Sequence, residues 1–348
     1  MSPTTRAALT ALCATALTTT LAATPTSAAS TAYVALGDSF SAGTGTRAPV
    51  DGCYRSTYGY PALLASRLRL TLDYQACSGA TTADVQANQL GTLGTGTGFV
   101  TMTIGGNDVG FADVITECAL PGWLSDCGGH VDAARTVLQT QLPQRLDTLY
   151  GAIRTKAPSA KVVVAGYPYL FNGEDCNAAT FFSRAEMTDL NAGTAELDDL
   201  ILSRTAAIGF TYVEVRDDFR GHAVCDDTEW INGLSSPIED SYHPNRQGNV
   251  GYADALAPAL KGTTGGGGGG KGKPGPKAAS AEPTVREAAE TVLAMELDSP
   301  TNLQRADAQG VDKGLVTRAV AKLRSPHVAV QEAGLDELQA LEEEFARG

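Results

Sequence analysis

The sequence predicts a three-layer α/β/α sandwich built on a central parallel sheet, followed by a small all-helical module. Three observations predict it. Short apolar runs of strand length alternate with helix-patterned segments through the first 261 residues. Those runs lack polar alternation, as strands do in a parallel sheet buried on both faces. Beyond six consecutive glycines, the glycine-poor remainder shows only helical spacing.

The elements follow in chain order. Arg6 precedes "AALTALCATALTTTLAATPTSAAS", an apolar but Thr-diluted run ending in small residues. Residues 1–29 therefore read as a secretory signal peptide cleaved near Ala28–Ala29, which makes the protein an exported, extracellular one. Cys13 lies inside the apolar run rather than after it, so a lipid anchor there is rejected. The run is too short and too polar to span a membrane, and stable membrane insertion is not expected. Strands are predicted at Tyr33–Leu36, Leu70–Tyr74, Phe99–Ile104, Lys161–Ala165 and Phe210–Val215. Helical patterns fill the gaps: "YPALLASRL", "VDAARTVLQTQLPQRLDTLYGAIRTKA" and "AEMTDLNAGTAELDDLILSRTAAI". Residues 31–261 make the α/β body, and residues 262–283, rich in Gly, Lys and Pro, make a flexible linker. In residues 284–348, apolar positions spaced for one helical face predict two or three helices of unknown role, open to an unknown partner.

Composition narrows the function. A net charge of -13 disfavours nucleic acid and anionic lipid surfaces. Without the leader six cysteines remain: Cys53, Cys77, Cys118, Cys127, Cys176 and Cys225. An even number in an exported chain suggests three disulfides; of the 15 possible pairings, the sequential one is simplest, and sequence alone does not choose. No Cys-x-x-Cys occurs and the histidines are scattered, so no metal site and no cofactor is expected.

Chemistry-bearing residues collect where strands end, which is where parallel sheets place their sites. "YVALGDSFSAGTG" puts Ser39 just after the first strand. A serine becomes a nucleophile only with a base and backbone amides nearby, and a lone Gly-Asp-Ser is more often a helix cap. "TMTIGGNDVGF" offers Asn107 after two glycines, and "YQACSGATTADV" offers Gly79 in a small-residue loop. "EDSYHPNRQGNVGYADAL" sets His243 before Pro244, on a loop, with Asp240 three residues earlier. The other three histidines, His130, His222 and His327, have no such setting.

Singly these blocks are turn chemistry. In this order, across residues 31–261, they resemble the SGNH (GDSL) hydrolase superfamily, most closely its secreted lipase, esterase and phospholipase branch from filamentous actinobacteria. The resemblance implies a flavodoxin-like sheet, three sequentially paired disulfides and a serine ester hydrolase acting on lipid or other ester substrates. It implies Ser39 as nucleophile, His243 as base and then acid, and Asp240 as third triad member. In some relatives a main-chain carbonyl supports the histidine instead, a part that Ser241 or its neighbours can take here. The Ser39 amide, the Gly79 amide and the Asn107 side chain would form the oxyanion hole, and Asp38 would be structural. Phospholipase A-type and glycan O-acetyl esterase activities remain alternatives, as does an inactive exported binding protein. A monomer is expected. The segment Phe111–Gly129, with Phe111, Ile115, Leu120, Trp123 and Leu124, is expected to border an acyl pocket.

Overall fold

The computed structural model describes residues 30–261 and 283–347; the expected leader and the linker up to residue 282 lie outside the described residues. Five strands form one sheet: β1 (Ala32–Ala35), β2 (Thr71–Tyr74), β3 (Phe99–Met102), β4 (Lys161–Ala165) and β5 (Thr211–Val213). Their order is β2-β1-β3-β4-β5, every pair parallel, with Val34 against Val100 and Val100 against Val162. All five predicted strands exist. Three are shorter than expected: β2 begins at Thr71, β3 ends at Met102 and β5 spans only Thr211–Val213.

Strand order dictates the layers. The chain first steps from β1 to β2, then reverses and runs outward through β3, β4 and β5. Right-handed crossovers place the connections before and after that reversal on opposite faces. Thus α2 (Tyr60–Leu68) shares one layer with the C-terminal α8 (Arg246–Lys261), which packs on it. The other layer holds α5 (Cys127–Thr140), α6 (Leu142–Lys156) and α7 (Arg184–Ala207), in mutual contact. The sheet between them is dry: Tyr33, Ala35, Val100, Met102 and Val163–Ala165 are fully buried.

Two local outcomes differ from the periodicity. The long pattern ending "QLPQRLDTLYGAIRTKA" divides at Gln141 into α5 and α6, because Pro143 in the first turn of α6 offers no N–H to the preceding turn. The C-terminal residues form four helices rather than two or three: α9 (Val285–Ala294), α10 (Pro300–Ala308), α11 (Lys313–Leu323) and α12 (Val328–Arg347). The extra one, α10, is short and polar, and its start is set by the Ser299 cap and Pro300 rather than by an apolar stripe.

Disulfides join Cys53 to Cys77, Cys118 to Cys127 and Cys176 to Cys225. No helix among the described residues is long and apolar enough to cross a membrane.

Candidate active site

The reversal between β1 and β3 opens a crevice at the carboxyl ends of those strands, and the site is built there. After β1 the chain turns at Gly37, whose φ of +116° disfavours any side chain; a Cβ there would lie 2.3 Å from the Thr103 carbonyl oxygen. The Gln89 amide brackets this glycine, accepting from its N–H at 2.8 Å and donating to its carbonyl at 2.9 Å. Asp38 then caps the short α1 (Ser39–Ala42), accepting the Phe40 amide at 3.1 Å. Ser39 is therefore a first-turn residue, whose amide has no partner within the helix.

Asp38 is buried and points away from the histidine. It accepts Thr103 Oγ1 at 2.6 Å and the Tyr167 hydroxyl. Burial, partly offset by these donors, pushes its carboxyl up to about 6. The same Tyr167 oxygen accepts the Gly106 amide at 3.3 Å, so one hydroxyl joins the turn before Ser39 to the block after β3. Asp198 in turn accepts the Tyr167 amide at 2.9 Å. Tyr167 was not singled out from the sequence. Its place just beyond β4, at the same sheet edge, is the signal that could have found it.

His243 Nε2 lies 2.7 Å from Ser39 Oγ, although 204 residues separate them. Its Nδ1 lies 2.8 Å from the main-chain oxygen of Ser241. A carbonyl only accepts, so Nδ1 carries the proton and Nε2 is left to accept from the serine. Phe40 packs against the ring at 5.3 Å. Burial, opposed by the carbonyls of Ser241 and Glu239, pulls the imidazole down to about 4. The folded protein thus resists protonating His243, and this group's contribution to stability declines as pH falls from about 6.5 through about 4. The acid limb of kcat/KM should likewise fall well below the ordinary imidazole value. A pH–rate profile with its limb at 6.5 or above would contradict this environment.

Asp240 does not reach the imidazole. Its Oδ1 accepts the Gly45 amide at 2.9 Å, and no hydrogen bond joins it to His243 among the described residues. The reason is backbone geometry. Ile238–Asp240 form a single 3-10 turn, Ser241 is extended and Tyr242 adopts a positive φ of 57°. This course turns the Ser241 carbonyl, not the Asp240 side chain, toward Nδ1. Asp240 instead ties down Gly45, where a Cβ would meet the His243 Cβ at 2.8 Å.

The Asn107 and Gly79 blocks meet each other. Asn107 Nδ2 donates to the Ala80 carbonyl at 3.0 Å, one residue after Gly79, whose φ is +81°. Asp108 accepts the Thr82 amide at 2.8 Å and its hydroxyl at 2.6 Å. Adjacent residues of one block thus fasten the Gly79 loop at two points.

Ser39 and Asn107 lie on a cleft of about 410 Å³ whose walls include Phe111, Leu170 and Leu197. Through Phe111, Leu170 and Leu197 it continues into an apolar groove of about 600 Å³ between α4 (Phe111–Cys118), α5 and α7. Of the segment expected to border an acyl pocket, only the start, Phe111 and Val114, lines this groove. Trp123 and Leu124 instead pack against the C-terminal helices, where Trp123 is 3% exposed. The Cys118–Cys127 bridge closes the intervening loop away from the groove.

Among the described residues, the single cluster with metal-ligand spacing is Cys176, Cys225 and Glu229. Its two sulfurs are joined in a disulfide, so it has no thiolate to offer.

The chain is similar to known proteins. The chain is 41% identical over 232 residues to a lipase of Streptomyces rimosus, covering 65% of this chain and 85% of the relative. The solved phospholipase A1 of Streptomyces albidoflavus matches at 38% identity with a TM-score of 0.62, covering 67% of this chain and 99% of that one. A solved extracellular lipase of Streptomyces rimosus matches at 40% identity with a TM-score of 0.61 and the same coverage. Residues 35–250, which hold strands β2–β5 and the serine–histidine pair, match the GDSL-like Lipase/Acylhydrolase family, and the chain belongs to that family of ester hydrolases.

Proposed function

We propose that this protein hydrolyses carboxylic esters of lipids through an acyl-enzyme on Ser39. The observation that carries the reading is the 2.7 Å contact between His243 Nε2 and Ser39 Oγ at the mouth of an apolar cleft. His243 takes the serine proton as Oγ attacks the ester carbonyl, and the proton then passes to the leaving alcohol. The Ser241 carbonyl holds the Nδ1 proton and steadies the imidazolium. Amides of Ser39 and Gly79 and the Asn107 side chain receive the developing oxyanion. Water, deprotonated by His243, then releases the acid.

The groove supports a lipid substrate. Its walls between α4, α5 and α7 suit an acyl chain, whereas an acetyl group needs none of that surface. A glycan O-acetyl esterase is therefore less well supported than a lipase or a phospholipase A. Three disulfides fit an exported enzyme working in an oxidising medium. In this reading residues 1–29 are the leader, 31–261 the hydrolase unit, 262–283 the linker and 284–348 the helical unit.

A fluorophosphonate serine probe tests the enzyme reading. The native chain should label and Ser39→Ala should not; an unlabelled native chain would indicate a binding protein instead. A panel of triacylglycerols, phospholipids, p-nitrophenyl esters and acetylated sugars then ranks the substrates. A preference for acetylated sugars would overturn the lipid reading.

A further inference from the structure

The C-terminal helices do not stand apart from the body. Their core, which includes Ala289, Val292, Val320 and Leu338, is continuous with Trp123, Leu124, Ala179, Phe181 and Leu234 of the body. Polar contacts fix the register. Glu342 accepts the Gly122 amide at 2.9 Å, Gln339 donates to the Thr180 carbonyl at 2.8 Å, and Ser236 donates to Glu287 at 2.6 Å. Trp123 meets Phe345 edge to face, with ring centroids 6.2 Å apart.

Two of the three gripped segments adjoin helices that wall the groove. Gly122–Leu124 joins α4 to α5, the 177–181 stretch leads into α7, and Leu234–Ser236 leads toward the His243 loop. The apolar groove is walled by those same helices, with Val114 from α4, Val131 and Leu138 from α5, and Leu190 and Leu197 from α7. The helical unit therefore touches the chain at the junction of one wall and at the root of the other.

Gly122 shows that this contact is close. A Cβ there would lie 2.9 Å from Glu342 Oε1 and 3.0 Å from Phe345 Cε1, while its φ is not in the left-handed region. Docking, not the local backbone, is what a larger residue would disturb. The helical unit is also an addition to the two solved Streptomyces relatives, 99% of each being matched by 67% of this chain.

We propose that helices α9–α12 brace the walls of the acyl groove, which makes Gly122, Trp123 and Phe345 specificity-determining residues for acyl-chain length. The inference rests on the reading that the groove receives the acyl chain. The unit holds the α4–α5 junction against the root of α7, so the groove keeps the width that grips a long chain. Ser39 and Asn107 are set by the turns after β1 and β3, and the His243 loop is tied to Gly45 through Asp240, so a short ester does not need the unit.

The test uses the full chain with two substitutions on opposite sides of the contact, Gly122→Arg and Phe345→Asp. Hydrogen exchange of residues 119–126 and 177–182 reads docking, and exchange of α11 reads the fold of the helical unit. Turnover of p-nitrophenyl acetate and p-nitrophenyl decanoate reads the groove. Both variants should lose protection in the two body segments while α11 stays protected. The decanoate-to-acetate ratio of kcat/KM should drop by about 10-fold or more, the scale of lost apolar contact in a chain-binding pocket. An undocked variant with an unchanged ratio overturns the proposal, and so does equal loss on both esters. Unchanged exchange in both variants overturns it too, since Gly122 and Phe345 would then not hold the unit. Failure of the serine-hydrolase reading looks different, because the native chain would not label with fluorophosphonate.

Discussion

Replacing His243 with alanine should lower kcat on a soluble ester by about 10⁴- to 10⁶-fold, the scale of losing a serine's base. The reason is the pairing itself. Ser39 Oγ has His243 Nε2 at 2.7 Å as its proton acceptor, and the nearby Asp38 is turned away into its own bonds with Thr103 and Tyr167. Ser39→Ala should be equally damaging, and the double variant no worse than either, because the two act as one unit. Steady-state kinetics on a p-nitrophenyl ester measure this. The informative companion is Asp240→Asn. A carboxylate bonded to the histidine would cost ~10⁴ in kcat when converted to its amide. Asp240 bonds Gly45 instead, so its variant should lose far less, with the loss following the Gly45 loop. A loss as large as that of His243→Ala would show that Asp240 reaches the imidazole during turnover.

Asn107→Ala should lower kcat by about 10²- to 10³-fold with little change in KM, as for one lost oxyanion donor. An asparagine amide carries two N–H donors. One is taken by the Ala80 carbonyl at 3.0 Å, which fixes the plane of the group. The other is free to meet charge that develops only in the transition state. Asn107→Asp is the matching control, since it keeps the shape and removes the donors; it should be at least as impaired. A rise in KM with unchanged kcat in Asn107→Ala would assign the side chain to ground-state binding instead.

Much of this site is readable from residue types. Gly-Asp-Ser after an apolar run, Gly-Gly-Asn-Asp after another, and His-Pro before a capped helix each carry local backbone chemistry. Their order along the chain is what lifts them above ordinary turns. The position of Tyr167 beyond β4 was readable but its partners were not, because Asp38 and Gly106 lie 129 and 61 residues away and only the sheet brings them together. Asp240 and a main-chain carbonyl both stay open in the sequence as the partner of His243, for a related reason. A spacing of three residues permits a carboxylate–imidazole contact, but the positive φ at Tyr242 turns the chain so that a carbonyl arrives first. Trp123 misled because an apolar residue near a site reads as pocket lining until its neighbours are known. Here they are Phe345 and the rest of the second core.

By itself the sequence determined the layered α/β body, the helical character of the C-terminal residues and the residue types at each strand end. Period, capping and turn chemistry act over a few residues, so they are written locally. Tertiary structure alone decided which acceptor orients His243, where the groove runs and what covers Trp123. Each of those depends on distances between segments far apart in the chain, set by strand order and helix packing rather than by any local pattern.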